Sequence, residues 1–135
     1  HVLARGDVNK KGDVVTPGAI SAVKGVAADF GLPPEASDTD KRRKLADWIT
    51  SENNPLFWRV IVNRVWHHHF GAGLVENPND FGYNGGPPSH PELLDWLAIE
   101  FRTSGGRLKA LHKTILLSEA YQQSSAFDAG AAKKD

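Results

Sequence analysis

The chain has no cysteine. That excludes a disulfide staple, a thiolate metal site and a thiol nucleophile, and it leaves the redox character of the compartment open. Net charge is lacking too, since sixteen Lys and Arg balance sixteen Asp and Glu. A balance of this kind removes the long-range pull toward phosphate backbones and anionic lipid, so no nucleic-acid partner is expected. No apolar run approaches the ~20 residues needed to span a bilayer. Nothing has the form of a positively charged leader followed by an apolar stretch. There is no initiator Met and residues 1–5 open in mid-pattern, so the chain reads as a piece of a longer protein whose signal peptide, if any, lies outside it.

What is present fits one domain, because 135 residues suffice for a single hydrophobic core. Three segments differ in character. Residues 1–36 form an extended N-terminal segment: HVLARGD is short and strand-like, KKGD and TPG are turn signals, and GLPPEAS is a Pro-containing linker. Ile20, Val23, Ala27 and Phe30 fall at helical spacing and predict a short helix that Gly25 interrupts. The tripeptide Arg5-Gly6-Asp7 is read as a turn rather than an adhesion signal.

Residues 37–124 read as a helical domain. Ser37 or Asp38 caps a first helix that ends near Glu52 or Asn53, with Leu45, Ala46, Trp48 and Ile49 as its apolar stripe behind the KRRK run. Asn54 followed by Pro55 reads as an N-cap with Pro at the first helical position, opening a second helix that Gly71 and Gly73 stop at about Phe70. Residues 71–89 are rich in Gly and Pro and predict a long ordered loop. Ser89-His90-Pro91-Glu92 fits a capping box before a third helix, whose buried face is Leu93, Leu94, Trp96, Leu97 and Phe101 and which Ser104-Gly105-Gly106 ends. A fourth helix over about residues 107–121 turns Leu108, Leu111, Ile115 and Leu116 inward. Residues 125–135, with Phe127 the one sizeable apolar side chain, are expected to be a flexible tail. The fold class is therefore mainly α, a compact bundle of about four helices.

The second helix carries the unusual chemistry. Arg59, Asn63 and His67 are four apart and share a face, with Arg64 and His68 beside them. Polar groups in so apolar a helix cost several kcal/mol unless each is hydrogen-bonded. Either they line a cleft that binds an anion or a sugar hydroxyl, or they bond to the following loop and pin it, with Asp80 as the natural partner for an arginine. Trp58 and Trp66, eight apart, would make a sugar-stacking platform if exposed, but indoles in a helix this apolar are expected in the core, as are Trp48 and Trp96. His67, His68 and His69 point about 100 degrees apart and cannot jointly chelate an ion. With no HExxH pattern no metal site is expected, although His90, His112 or Asp80 would be the distant ligands. No GxSxG elbow marks a nucleophile. Glu76, Asp80 and Glu92 would serve glycosidic cleavage only if the fold brought two of them together. Acidic Glu92, Asp95 and Glu100 on the third helix argue against a DNA-recognition helix.

VNRVWHHHFGAGLVENPNDFG, then PSHPELLDWLAIEF, then LKALHKTILLSEAYQQSS closely resemble the domain of unknown function numbered 1553, a family of large secreted planctomycete proteins. VLARGD and VTPG resemble the stretch that precedes that domain. The resemblance implies a secreted or periplasmic location, and a place near the C-terminus of a long chain behind other domains, often including a c-type cytochrome-like one. It carries no catalytic residues, so the catalytic residues are unknown. No cofactor is expected in this chain, because no CxxCH haem-attachment motif is present. The matching polar positions Asn63, Arg64, Trp66, Asn79, Asp80 and His90, with Arg59 and His67, are the binding candidates on physical grounds. The leading expectation is a structural or interaction module of a secreted multidomain protein, in which truncating Asn63 or Arg64 lowers the melting temperature by several degrees. The rival is an extracellular glycan-binding or hydrolytic module that takes a polysaccharide in a cleft between the second helix and residues 75–88. A third is an electron-transfer partner for a fused haem domain.

Overall fold

Capping chemistry sets where the helices begin. In the computed structural model, which describes residues 1–82, 84–124 and 130, Ser37 Oγ accepts a hydrogen bond from the Asp40 N–H at 3.1 Å and opens α1, Asp38–Ile49. Asn54 Oδ1 accepts from the Leu56 N–H at 3.0 Å. This satisfies one of the donors that a helix start leaves free, and α2 runs Pro55–Phe70. Gly71 ends it at φ +78, its N–H bonding His67 O at 2.8 Å. Pro91 opens α3, Pro91–Thr103. It closes where Gly105 and Gly106 both take positive φ and the Gly106 N–H reaches back to Phe101 O at 2.9 Å, a six-to-one return that needs a left-handed residue. Last is α4, Leu108–Leu116. The chain is mainly α, as expected. Among the described residues there is no strand, only the isolated bridges Leu3↔Lys11 and Gly18↔Asp29.

Several local expectations are corrected. The strand-like start is a 3-10 turn over Ala4–Gly6, with Arg5 at φ 53 and Gly6 at φ 78, so Arg5-Gly6-Asp7 is a turn. No helix forms over residues 20–30. There Gly25 adopts φ +93, and a Cβ on it would meet Asn53 O at 2.9 Å. The first helix stops early, with Thr50 as its C-cap, whose N–H and hydroxyl both bond Ala46 O, at 3.0 and 2.9 Å. The fourth stops before Tyr121 because Ser118 diverts it: Ser118 Oγ donates to Ile115 O at 2.7 Å and accepts from the Tyr121 N–H at 3.3 Å. The capping box does not form, since Ser89 is engaged elsewhere and His90 at the N-cap makes no side-chain cap bond. Of the expected tail, all but Gly130 lies outside the described residues.

Two units divide the chain at Arg59 and Val60, inside α2. The first, His1–Arg59, buries no apolar side chain. The expected stripe on α1 is partly in solvent, with Leu45 42 % and Ile49 37 % exposed. Hydrogen bonds hold its irregular chain, among them Val2 N–H to Asp13 O at 2.9 Å and Ala19 N–H to Ala28 O at 2.7 Å. Trp58 Nε1 donates to Ser51 O at 3.3 Å, and the buried Asn54 amide donates to Trp48 O at 3.2 Å.

The second unit, Val60–Asp135, contains the core. Val62 and Val65 come from α2, Leu74 and Val75 from the loop, Leu94, Leu97, Ala98 and Phe101 from α3, and Leu111 and Ile115 from α4. α3 packs on α4. Three side chains expected inside stand out in solvent: Trp96 is 50 %, Leu108 49 % and Leu116 40 % exposed. On α3 the buried positions 94, 97, 98 and 101 define one stripe, and a residue at 96 projects away from it. The cleft between α3 and α4 holds only about 50 Å³ beside Leu97, Phe101 and Leu111, far below the ~300 Å³ of small ligand pockets.

Candidate functional site: the Asn63 amide and the loop it holds

Asn63 is completely buried, and both atoms of its amide are used on one residue of the chain. Nδ2 donates to Val75 O at 3.0 Å, and Oδ1 accepts from the Val75 N–H at 2.9 Å. A primary amide offers donor and acceptor side by side, which suits it to replace the partner strand of an extended residue. Val75 is itself 3 % exposed, so without Asn63 its two backbone groups would be buried unpaired. Gly73 makes the approach possible, because a Cβ there would stand 2.8 Å from Asn63 Nδ2 and 3.0 Å from Oδ1.

The loop is tied again at its far end. Leu74 O accepts from the Ser89 N–H at 2.8 Å and from Ser89 Oγ at 3.2 Å. Between these roots the chain turns on its own side chains. Asn77 Oδ1 accepts from the Asn79 N–H at 3.1 Å, and Asp80 Oδ1 accepts from the Gly82 N–H at 2.9 Å. Both are local bonds that tighten a turn. Gly85 folds so closely on Asp80 that any Cβ would collide with its carbonyl oxygen.

The candidates therefore separate. Arg59 lies in the first unit, half-buried. Asn63 holds the loop. Arg64 is exposed and donates from Nη2 to Asn79 Oδ1 at 3.2 Å. The arginine contact expected for Asp80 thus goes to Asn79, while Asp80 bonds the Gly82 N–H. Trp66 is half-buried and stacks on Phe70 with ring centres 4.2 Å apart. His67 is half-buried, and its Nδ1 is buried with no hydrogen-bond partner among the described residues. His90 is exposed, with Nδ1 3.1 Å from Ser89 Oγ.

The Ser89–His90 pair has the elements of a nucleophile and base but the wrong polarity. Leu74 O can only accept, so it takes the single hydroxyl proton, and His90 must donate to Ser89 Oγ rather than withdraw from it. No group of three or more metal-ligating side chains occurs among the described residues. The sequence offered no signal for Val75 as the partner of Asn63, nor for the contact of His69 with His112 at 2.8 Å.

Residues 41–135 match the model of a family described as a protein of unknown function (DUF1553). The opening stretch, VLARGD included, falls outside the match. Neither the curated proteins nor the solved structures contain a match to the chain.

Proposed function

Since the chain belongs to the DUF1553 family, and the most deeply buried of its candidate side chains is engaged with the chain's own backbone, we propose that it is a noncatalytic structural or interaction module of a secreted multidomain protein. The observation that carries this reading is the Asn63 amide, wholly buried, its nitrogen and its oxygen both bonded to the Val75 backbone. A side chain reserved for a ligand would reach solvent, and Asn63 has no exposed surface. The Asp80 and Ser89 side chains are likewise bonded to the loop or its root, while the Asn79 amide oxygen accepts from Arg64 of α2.

In this proposal the module works outside the cytoplasm, secreted or periplasmic, and its partners are other domains of its parent chain, a c-type cytochrome-like domain among them. Support for location and partner is the resemblance of the three sequence blocks to large exported proteins. No helix among the described residues is long and apolar enough to cross a membrane.

The rival is an extracellular glycan-binding or hydrolytic module. One observation favours it: Arg64 and Asn79 present a guanidinium and an amide together at the surface, a combination that suits sugar hydroxyls or sulfates. Passing the chain and its parent protein over immobilised neutral and sulfated polysaccharides decides between the two. The structural reading expects no retention of either protein beyond what salt removes. Salt-resistant retention that Arg64→Ala or Asn79→Ala abolishes would replace it with the rival.

A further inference from the structure

A second polar cluster lies within the Val60–Asp135 unit, away from the loop root, where the last turn of α2 meets α4. His69 Nε2 and His112 Nδ1 are 2.8 Å apart, and their ring centres are 5.0 Å apart with planes at 70°. The difference between those distances is about the sum of two imidazole radii. The two nitrogens therefore lie nearly on the line of centres, as in a straight N–H···N bond. A shared metal ion would need both lone pairs to converge on a point off that line. Tyr121 stands edge-on to His69 at 5.5 Å and to Phe70 at 5.6 Å. Both imidazoles are half-buried.

Such a bond has room for one proton. With both rings neutral, one donates and the other accepts. A first added proton leaves the bond in place and strengthens it by charge. A second proton puts N–H against N–H and two like charges at contact distance, and the bond is lost.

We propose that the His69–His112 pair is an acid-released latch, fastening the C-terminal turn of α2 to α4 and to the turn that carries Tyr121, and opening when both rings are protonated. Charged and titratable groups on the elements that meet here act on it in opposite directions. Lys109 and Lys113 flank His112 on α4, and His67 and His68 precede His69 on α2. These cations, or potential cations, oppose the second proton. Glu119, beside Tyr121 in the turn after α4, favours it.

Urea unfolding of the chain at pH 7.5 and pH 5.0, with His69→Gln and His112→Gln alongside, tests the latch. A folded pair that excludes one proton the unfolded chain accepts loses up to about tenfold in its folded-to-unfolded ratio per pH unit of acidification. The wild type should therefore lose about tenfold more than either variant over this interval. Equal losses would overturn the proposal. Imidazole nitrogen NMR of the wild type keeps it falsifiable if a variant fails to fold. One fixed tautomer for each ring at pH 7.5, sharing a proton that disappears by pH 5.0, is expected. Free tautomer averaging at pH 7.5, or nitrogen shifts produced by micromolar zinc instead of by acid, would overturn the latch.

Discussion

Replacing Asn63 by Asp changes one atom of the buried amide from donor to acceptor and leaves its volume almost untouched. Val75 O, which Nδ2 meets at 3.0 Å, would face a carboxylate oxygen, while the acceptor bond from the Val75 N–H at 2.9 Å would survive. Leaving a buried carbonyl unpaired costs about 1–3 kcal/mol, and placing an unpaired charge in a site of zero exposure adds several kcal/mol more unless the group neutralises. The variant should thus be about 3–5 kcal/mol less stable than the wild type at pH 7, enough to approach the whole stability of a marginal domain. A protonated carboxyl restores the donor, so the folded state raises the carboxyl's proton affinity above that of the unfolded chain. A raised affinity contributes stability below the unfolded value of about 4 and loses it as pH rises past that point. The deficit should shrink to about 1 kcal/mol near pH 4 and grow upward from there. Urea unfolding from pH 4 to pH 7.5 measures it, each titration referred to wild type at the same pH. Asn63→Leu serves as the control, since it loses both bonds at every pH and its deficit should stay flat. A deficit for Asn63→Asp that does not change with pH, or none at neutral pH, would refute the reading of the amide as a buried backbone clamp.

Gly73→Ala should destabilise by about 1–3 kcal/mol, because its Cβ would collide with Val75 O and crowd the Asn63 amide, and thermal melting should show that a loss persists in the Asn63→Leu background. Arg64→Ala should cost less than ~0.5 kcal/mol, the ordinary effect of an exposed contact, so the several-degree loss expected from its place on the polar helix gives way to nearly unchanged melting. His67→Leu should raise stability by about 1 kcal/mol by removing a buried nitrogen with no partner, read from the urea midpoint. Ser37→Ala should cost about 1 kcal/mol, seen as faster amide exchange in the first turn of α1.

Helix starts were legible where a cap residue stood beside a helical run. Ser37 before Asp38, and Asn54 before Pro55, each announce a start because the donor they satisfy lies two or three residues away. The two-glycine stop after α3 was legible for the same local reason. Ser89 was misread because its hydroxyl has two uses, capping α3 or closing the loop on Leu74, and only tertiary structure chooses between them. The apolar face of α3 was legible except at Trp96, whose bulk suggested burial although its angular position relative to Leu94 and Leu97 does not. The candidate site was legible as a problem: Asn63 had to be satisfied somewhere. Its partner was not, because a backbone group has no residue type to mark it. Equally, nothing in the spacing of His69 and His112 could show that they touch, since 43 residues separate them.

The bonds from Ser89 to Leu74 O draw the two ends of the Gly/Pro-rich segment together at a neck, beyond which the chain makes an excursion that touches α2 again at Val75 and Asn79. Lengthening such an excursion is thermodynamically cheap, about 0.6 kcal/mol for each doubling of its length, provided the neck, the Asn63 bonds to Val75 and the tight fold of Gly85 on Asp80 are left intact. The outer arc is consequently where related chains can diverge in length, and where an epitope or a fluorophore-bearing peptide can be grafted while the helices beneath stay as they are.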